Sequence, residues 1–134
     1  NTAYEKTKEL IEAYPELRGI LGSTSTTAAG AGLAVKEQGL QEKLAVIGSG
    51  LVSQCRQYLA GGSTRLISSW DPADAGYVMN RIAVMLLEGK KMANGADLGV
   101  PGYTQIRQDS EKPNLFYGSA WVDVTKQNMD ACNF

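Results

Sequence analysis

The groups in this chain that can do chemistry are hydroxyls, carboxylates and two indoles, because it contains no histidine. That absence removes the commonest general base and the commonest metal ligand. Neither a Ser-His-Asp triad nor a His-based zinc site can be assembled from it. Cys55 and Cys132 are too far apart in sequence for a metal-type pair, and the sequence leaves open whether they form a disulfide or stay as two buried thiols. No metal, cofactor or catalytic residue is assigned. The remaining polar groups gather at three points, each just after an apolar run: Ser23, Thr24 and Ser25; Ser49 and Gly50; Trp70 and Asp71. A few hydroxyls, a carboxylate and free backbone N–H groups orient a small ligand in a concave site rather than transform it. Hydroxyls and carboxylates suit the hydroxyls of a sugar, and the flat face of Trp70 suits the apolar C–H face of a pyranose or furanose.

Each of these residues also has a plainer role. Trp70 serves equally as a core plug with its indole N–H satisfied locally. Thr26 and Thr27 are read as helix caps rather than ligand contacts. Gly48-Ser49-Gly50-Leu51-Val52-Ser53 half-matches a dinucleotide fingerprint, but Ser53 replaces its third glycine. Asp71, the one acidic residue at about the right distance (~20 residues on), already has a helix to cap. Gly30-Ala31-Gly32 reads as small residues that permit close helix-to-sheet packing, and Asp109, Asp123 and Asp130 as solvated surface carboxylates.

The elements that must position these groups alternate. A helix is expected over Asn1 to Tyr14, with Tyr4, Thr7, Leu10, Ile11 and Tyr14 on one face and Pro15 as its stop. Leu17 to Gly22 predicts a buried strand, and Ala28 to Gln38 an Ala-rich helix ended by Gly39. Lys43 to Ile47 predicts a second strand, with Gly48-Ser49-Gly50 as a tight turn and Val52 to Ala60 as a helix closed by Gly61-Gly62. Arg65 to Ser69 is a third strand. The helix Pro72 to Leu87 is the most strongly specified: Asp71 is its N-cap, Pro72 its first residue, Asp74 a first-turn carboxylate, and Val78, Ile82, Met85 and Leu86 its buried stripe. Strand and helix alternating three times argue a parallel sheet with right-handed crossovers, so that the strand-to-helix loops share one edge. Beyond Gly89 a polar connection leads to a half-exposed strand over Tyr103 to Arg107 and a turn at Asp109 to Pro113. An aromatic-rich strand over Asn114 to Val124 follows, then a short helix capped by Thr125 and running through Met129.

The chain has 134 residues, enough for a single α/β domain over 1–134 with a real core. Thirteen basic and fourteen acidic residues are scattered along it, which gives no footprint for nucleic acid or an anionic membrane. No apolar run is long enough for direct membrane insertion. The start lacks the pattern of an export signal, which is expected to have been removed or to lie upstream.

Several stretches together resemble a known family. They are Ala13-Tyr14-Pro15-Glu16-Leu17-Arg18-Gly19-Ile20-Leu21, Ala34-Val35-Lys36-Glu37-Gln38-Gly39-Leu40, Leu44-Ala45-Val46-Ile47-Gly48 and Trp70-Asp71-Pro72-Ala73-Asp74-Ala75-Gly76-Tyr77. In order and spacing they resemble the C-terminal half of type 1 periplasmic sugar-binding proteins, nearest to the rhamnose- and autoinducer-2-binding branch of ABC transporter receptors. The tail Thr125-Lys126-Gln127-Asn128-Met129-Asp130 and Phe134 resemble that branch too. The resemblance implies a three-layer Rossmann-like lobe of the periplasmic binding protein-like I fold, incomplete against a two-lobe family that closes on a sugar and delivers it to an ABC permease. It implies a periplasmic or extracytoplasmic setting and cleft-lining roles for Ser23, Thr24, Ser25 and Trp70. It also implies that residues 71–102 pack on an absent N-terminal lobe, which leaves the Pro72 to Leu87 helix to dock on its own lobe or to self-associate with a second copy. The Ser23-Thr24-Ser25 loop departs from the Pro-Asp-Ala type of the autoinducer-2 receptors. Two alternatives are the effector-binding domain of a sugar-responsive LacI-type transcription regulator and a nucleotide-dependent enzyme using Gly48 to Gly50.

Overall fold

The computed structural model describes residues 2–132 and 134; Asn1, placed in the first helix by the sequence reading, lies outside the described residues. The element order is α1 (Thr2–Ala13), β1 (Gly19–Gly22), α2 (Thr27–Glu37), β2 (Ala45–Ser49), α3 (Val52–Ala60), β3 (Leu66–Ser69), α4 (Pro72–Leu87), β4 (Arg107–Gln108), β5 (Phe116–Tyr117), β6 (Val122–Val124) and a 3-10 turn (Met129–Ala131). They fall into two compact units: Asn1–Ser69 with Asp123–Phe134, and Trp70–Val122.

In the first unit the sheet runs β1-β2-β3-β6, and β1, β2 and β3 pair in parallel as the alternating pattern predicts. Both crossovers join neighbouring strands, so right-handedness places α2 and α3 on one face. There Ala31, Val35, Leu44 and Val46 form a buried cluster joined by Ile11 of α1 and by Ile20 and Leu40. The opposite face carries Leu21, 76% exposed, and Ile47, 39% exposed. The sheet is thus α/β and parallel but incomplete, and Leu17 to Gly22 is not a buried strand. β1 is short, lies at the sheet edge, and has only its α2 side covered. Tyr14 also leaves the predicted helix face: it follows the last residue of α1 and is 60% exposed.

Small residues set the spacing inside this unit. Gly22 pairs with Gly48 across β1 and β2, and a Cβ on Gly48 would run into the Gly22 backbone. Gly48 and Ser49 therefore belong to the strand, which corrects the tight turn expected at Gly48-Ser49-Gly50. Gly48 is thus tied into the sheet rather than free for the tight turn that a dinucleotide fingerprint asks of its first glycine, which weakens the nucleotide reading. Gly32 is a close-approach position, but toward α3 rather than the sheet: a Cβ there would press on Tyr58 of α3 and on Thr64 in the loop before β3. Thr64 is itself buried and donates to the Ala28 carbonyl at 3.2 Å.

The tail is held by contacts that the sequence does not display. Leu51, the N-cap of α3, offers no side-chain acceptor, and the Ser53 N–H instead donates to the Phe134 carbonyl at 3.2 Å. Arg56 donates to the Asp130 carboxylate, to the Met129 carbonyl at 3.0 Å and to the Cys132 carbonyl at 3.3 Å. The expected helix through Met129 is a turn followed by the 3-10 segment. Asn128 Oδ1 accepts from the Thr125 N–H at 2.7 Å, and this local closure competes with a regular helix start. Both cysteines are free thiols, and burial pushes Cys55 up to about 11.

In the second unit α4 matches its predicted bounds and start: Asp71 Oδ1 accepts from the Ala73 N–H at 2.8 Å and Pro72 opens the helix. Val78 packs with Leu98, Val100 and Ile106, flanked by Ile82, Met85, Tyr103 and Phe116. Leu86 does not join them. At 3.6 residues per turn it lies about 80° around the helix from Val78, and it is 56% exposed, beside Met79 at 70% and Leu87 at 88%. The expected strand over Tyr103 to Arg107 shrinks to an Ala96–Ile106 bridge and β4. The expected strand over Asn114 to Val124 breaks into β5 and β6 around Gly118 to Trp121. Gly118 has no room for a side chain, because its Cβ would lie 2.7 Å from the Tyr103 ring.

Two glycine substitutions should therefore behave oppositely in urea unfolding. Gly48→Val forces β1 from β2 and should lower stability by about 2–3 kcal/mol or more. Gly76→Ala, inside α4 with open space at its Cβ, should raise stability by about 0.5–1 kcal/mol.

Candidate functional site

Because β1, β2 and β3 run parallel, their carboxyl ends share one edge of the sheet, where ligands bind in open α/β folds. Ser23, Thr24 and Ser25 leave that edge after β1, and all three are exposed. Thr24 Oγ1 lies 2.6 Å from Thr27 Oγ1, and the Thr27 N–H donates to the Thr24 carbonyl at 3.1 Å. Thr26 occupies the N-cap position of α2, yet neither Thr26 nor Thr27 caps the helix with its side chain as expected. Thr26 is already in the helical region of φ/ψ, whereas a capping side chain needs an extended backbone to reach back. The Thr24 hydroxyl therefore braces the loop, while Ser23 and Ser25 project into solvent. A cavity of about 460 Å³ opens beside the loop, lined by Lys6, Thr7, Leu10, Leu21, Thr24 and Thr27 among others.

At the end of β2, Ser49 is half-buried as the last strand residue and Gly50 is buried. A Cβ on Gly50 would lie 3.0 Å from Cys55 Sγ and 3.1 Å from Ile67 Cγ2. Packing therefore accounts for Gly50, and its smallness lets the chain turn into α3. At the end of β3, Ser68 donates to Asp123 Oδ1 at 2.6 Å, so Asp123 is engaged rather than simply solvated. Asp130 is tied to Arg56 in the same way.

The second unit holds the aromatic part. Trp70 is 45% exposed, not a core plug, and its ring meets Trp121 edge to face at 5.1 Å between centroids and 89° between planes. Trp121 is itself 60% exposed. Trp70, Tyr103, Gly118, Ala120 and Trp121 line a cleft of about 110 Å³. Beyond Trp121 a second hollow of about 230 Å³ is lined by Asp71, Asp74, Pro101, Gly102, Ser119 and Trp121 among others. Asp71 Oδ1 is committed to the α4 cap. The sequence pattern predicts strands at Trp121 and Tyr103 and gives neither a place in the site. The signal was the run Gly118-Ser119-Ala120 facing Gly102, small residues that break a strand and let two loops meet. There the Ser119 N–H donates to the Gly102 carbonyl at 2.7 Å.

The residues matched by a family model called periplasmic binding protein domain are 1–91. The chain belongs to the periplasmic binding protein domain family. Its fold is also found in solved structures. A sugar ABC transporter from Actinomyces odontolyticus aligns with a TM-score of 0.80 at 23% identity, covering 98% of this chain and 42% of that one. A solute-binding protein from Clostridium phytofermentas with bound L-rhamnose aligns at 0.78 and 18% identity, covering 96% and 44%. One from Agrobacterium vitis with bound D-fucose aligns at 0.73 and 26% identity, covering 96% and 37%. The chain thus spans about two-fifths of the length of the solved structures it matches. No curated protein sequence matches it. Among the described residues, no helix of this family member is long and apolar enough to cross a membrane, and no group of His, Cys, Asp and Glu is arranged to hold a metal.

Asp109 lies apart from these candidates. It accepts from the Tyr117 hydroxyl at 2.8 Å and from the N–H groups of Glu111 and Lys112 at 3.0 and 2.8 Å. The Tyr117 hydroxyl, then these backbone donors, hold its carboxyl below the usual range. A lowered folded pKa stabilises above the unfolded value of about 4 and is lost as pH falls through the folded value. Asp109→Asn should therefore loosen the β4–β5 hairpin at pH 7, seen as faster amide exchange. The difference from the native chain should close as the pH is taken well below 4.

Proposed function

We propose that this chain is the C-terminal lobe of the sugar-binding component of an ABC importer, a binding module that performs no chemistry. The observation that carries the reading is the parallel β1-β2-β3 edge with an exposed hydroxyl loop after β1, in a chain belonging to this family. Ser23, Thr24, Ser25, Ser49 and Gly50 are the proposed ligand contacts of the first unit, and Trp70 and Asp71 those of the second. Ser23 and Ser25 offer uncommitted hydroxyls for sugar hydroxyls. Thr24 and Asp71 bring groups already fixed by internal hydrogen bonds, which lowers the ordering entropy that binding must overcome. Trp70 offers a half-exposed ring face. Bound L-rhamnose and D-fucose in the similar structures support a monosaccharide ligand, delivered to a permease outside the cytoplasm.

In this reading residues 71–102 pack on the N-terminal lobe of a longer parent protein. Met79, Leu86 and Leu87 of α4, exposed here, are then the side chains that it covers. Alone, the 134-residue chain self-associates through them, and light scattering should show mass rising with concentration. Met79→Glu with Leu87→Glu should abolish that rise.

A single lobe lacks closure around its ligand, so calorimetry should give a millimolar Kd for a monosaccharide with this chain and a much tighter one with a two-lobe parent. Trp70→Ala should abolish the binding. Submicromolar binding by the 134-residue chain alone would contradict the reading, as would a thermal-shift panel in which NAD or NADP stabilises it and no sugar does.

A further inference from the structure

Trp121 lies outside the residues that carry the family match, yet the structure builds a defined environment around it. The loop that holds it is latched to the 100–103 turn by the Ser119 N–H bond to the Gly102 carbonyl. The Tyr103 N–H in turn donates to the Val100 carbonyl at 2.9 Å. Two glycines make the fit. Gly102 has φ of +81° and a Cβ position only 2.5 Å from Ala120 Cα, and Gly118 leaves room for the Tyr103 ring. The result is a rigid frame that sets one indole edge against the face of another.

We propose that Trp121 is the positioning and specificity-determining partner of Trp70: it fixes the attitude of the Trp70 ring and, with Tyr103, closes a notch that takes a small apolar substituent of the sugar. This rests on the sugar-binding reading above. Edge-to-face pairing is favourable beyond simple burial and restrains both rings, so a sugar face stacking on Trp70 meets a ring already held in place. At about 110 Å³ the notch is far smaller than the ~300 Å³ or more of a site that encloses a whole small ligand. Its walls are two indoles, a phenol ring, Gly118 and Ala120. The ring faces, Gly118 and Ala120 give that space an apolar side that suits a methyl group at the rim of a pyranose, beside indole N–H and phenol hydroxyl groups that can meet the sugar's hydroxyls.

Trp70 and Trp121 are the two tryptophans of the chain, so indole spectroscopy reports on this pair alone. Two indoles 5.1 Å apart should give an exciton couplet in circular dichroism, lost in both Trp121→Ala and Trp121→Leu; a native chain without the couplet overturns the proposed geometry. Because Trp121 is 60% exposed, its truncation spares the core of the second unit, and Trp121→Leu keeps apolar bulk without the ring. Binding is then measured with D-fucose and L-arabinose, the same pyranose with a methyl or a hydrogen on C5. The native chain should prefer D-fucose about fourfold, the worth of one buried methyl. Both variants should lose that preference and weaken D-fucose binding roughly three- to tenfold. A variant that binds D-fucose as the native chain does, or keeps the preference, overturns the role of Trp121 and leaves the sugar-binding reading standing. A native chain that binds no sugar overturns both.

Discussion

The close approach of β1 and β2 at Gly22 and Gly48 is the constraint on which the first unit depends. Two parallel strands can come together there only because Gly48 carries no side chain, while the bare Cα of Gly22 lets Thr27 of α2 pack against β1. Once they do, the register through Gly19–Ala45, Ile20–Val46 and Leu21–Ile47 follows, and β3 continues it. The register then fixes which residues leave the sheet at its carboxyl edge. Ser23 to Ser25 and Ser49 share that edge because β1 and β2 run parallel in a register set where Gly22 meets Gly48.

The second unit solves a different problem. Its core is small and is drawn from one stripe of α4 and three loop residues, Leu98, Val100 and Ile106. A long loop region holds its shape here through side-chain acceptors for backbone donors. Asp97 accepts from the Gly99 N–H at 2.7 Å, Asn94 from the Gln108 N–H at 2.9 Å, and Asp109 from two amides and a phenol. Local closures of this kind replace the ladder of a sheet and leave the aromatic rings at the surface. That explains how Trp70 and Trp121, with Tyr103 at the edge of the core, come to line a cleft.

The polar residues near the sheet edge and the start of α4 differ in how far the protein already fixes them. Thr24, Asp71 and Asp123 each have a protein partner within 2.8 Å. Ser23 and Ser25 are exposed on a loop that others brace, so in the proposed site the frame is fixed before a ligand arrives.

The sequence by itself determined the features that depend on neighbours along the chain. The start of α4 was legible because Asp71, Pro72 and Asp74 act within one turn, and the ends of α2 at Gly39 and of α3 at Gly61-Gly62 were legible for the same reason. Alternating apolar runs sufficed for the parallel sheet and for the three loops that follow its strands. Tertiary structure decided what depends on contacts distant in sequence. Gly48 and Ser49 read as a turn until Gly22 drew them into a strand. The Asn114 to Val124 run read as a strand until Tyr103 occupied the space beside Gly118 and split it. The pairing of Trp70 with Trp121, fifty-one positions apart, leaves no periodic trace, because an edge-to-face contact asks only for two rings and a frame that brings them together.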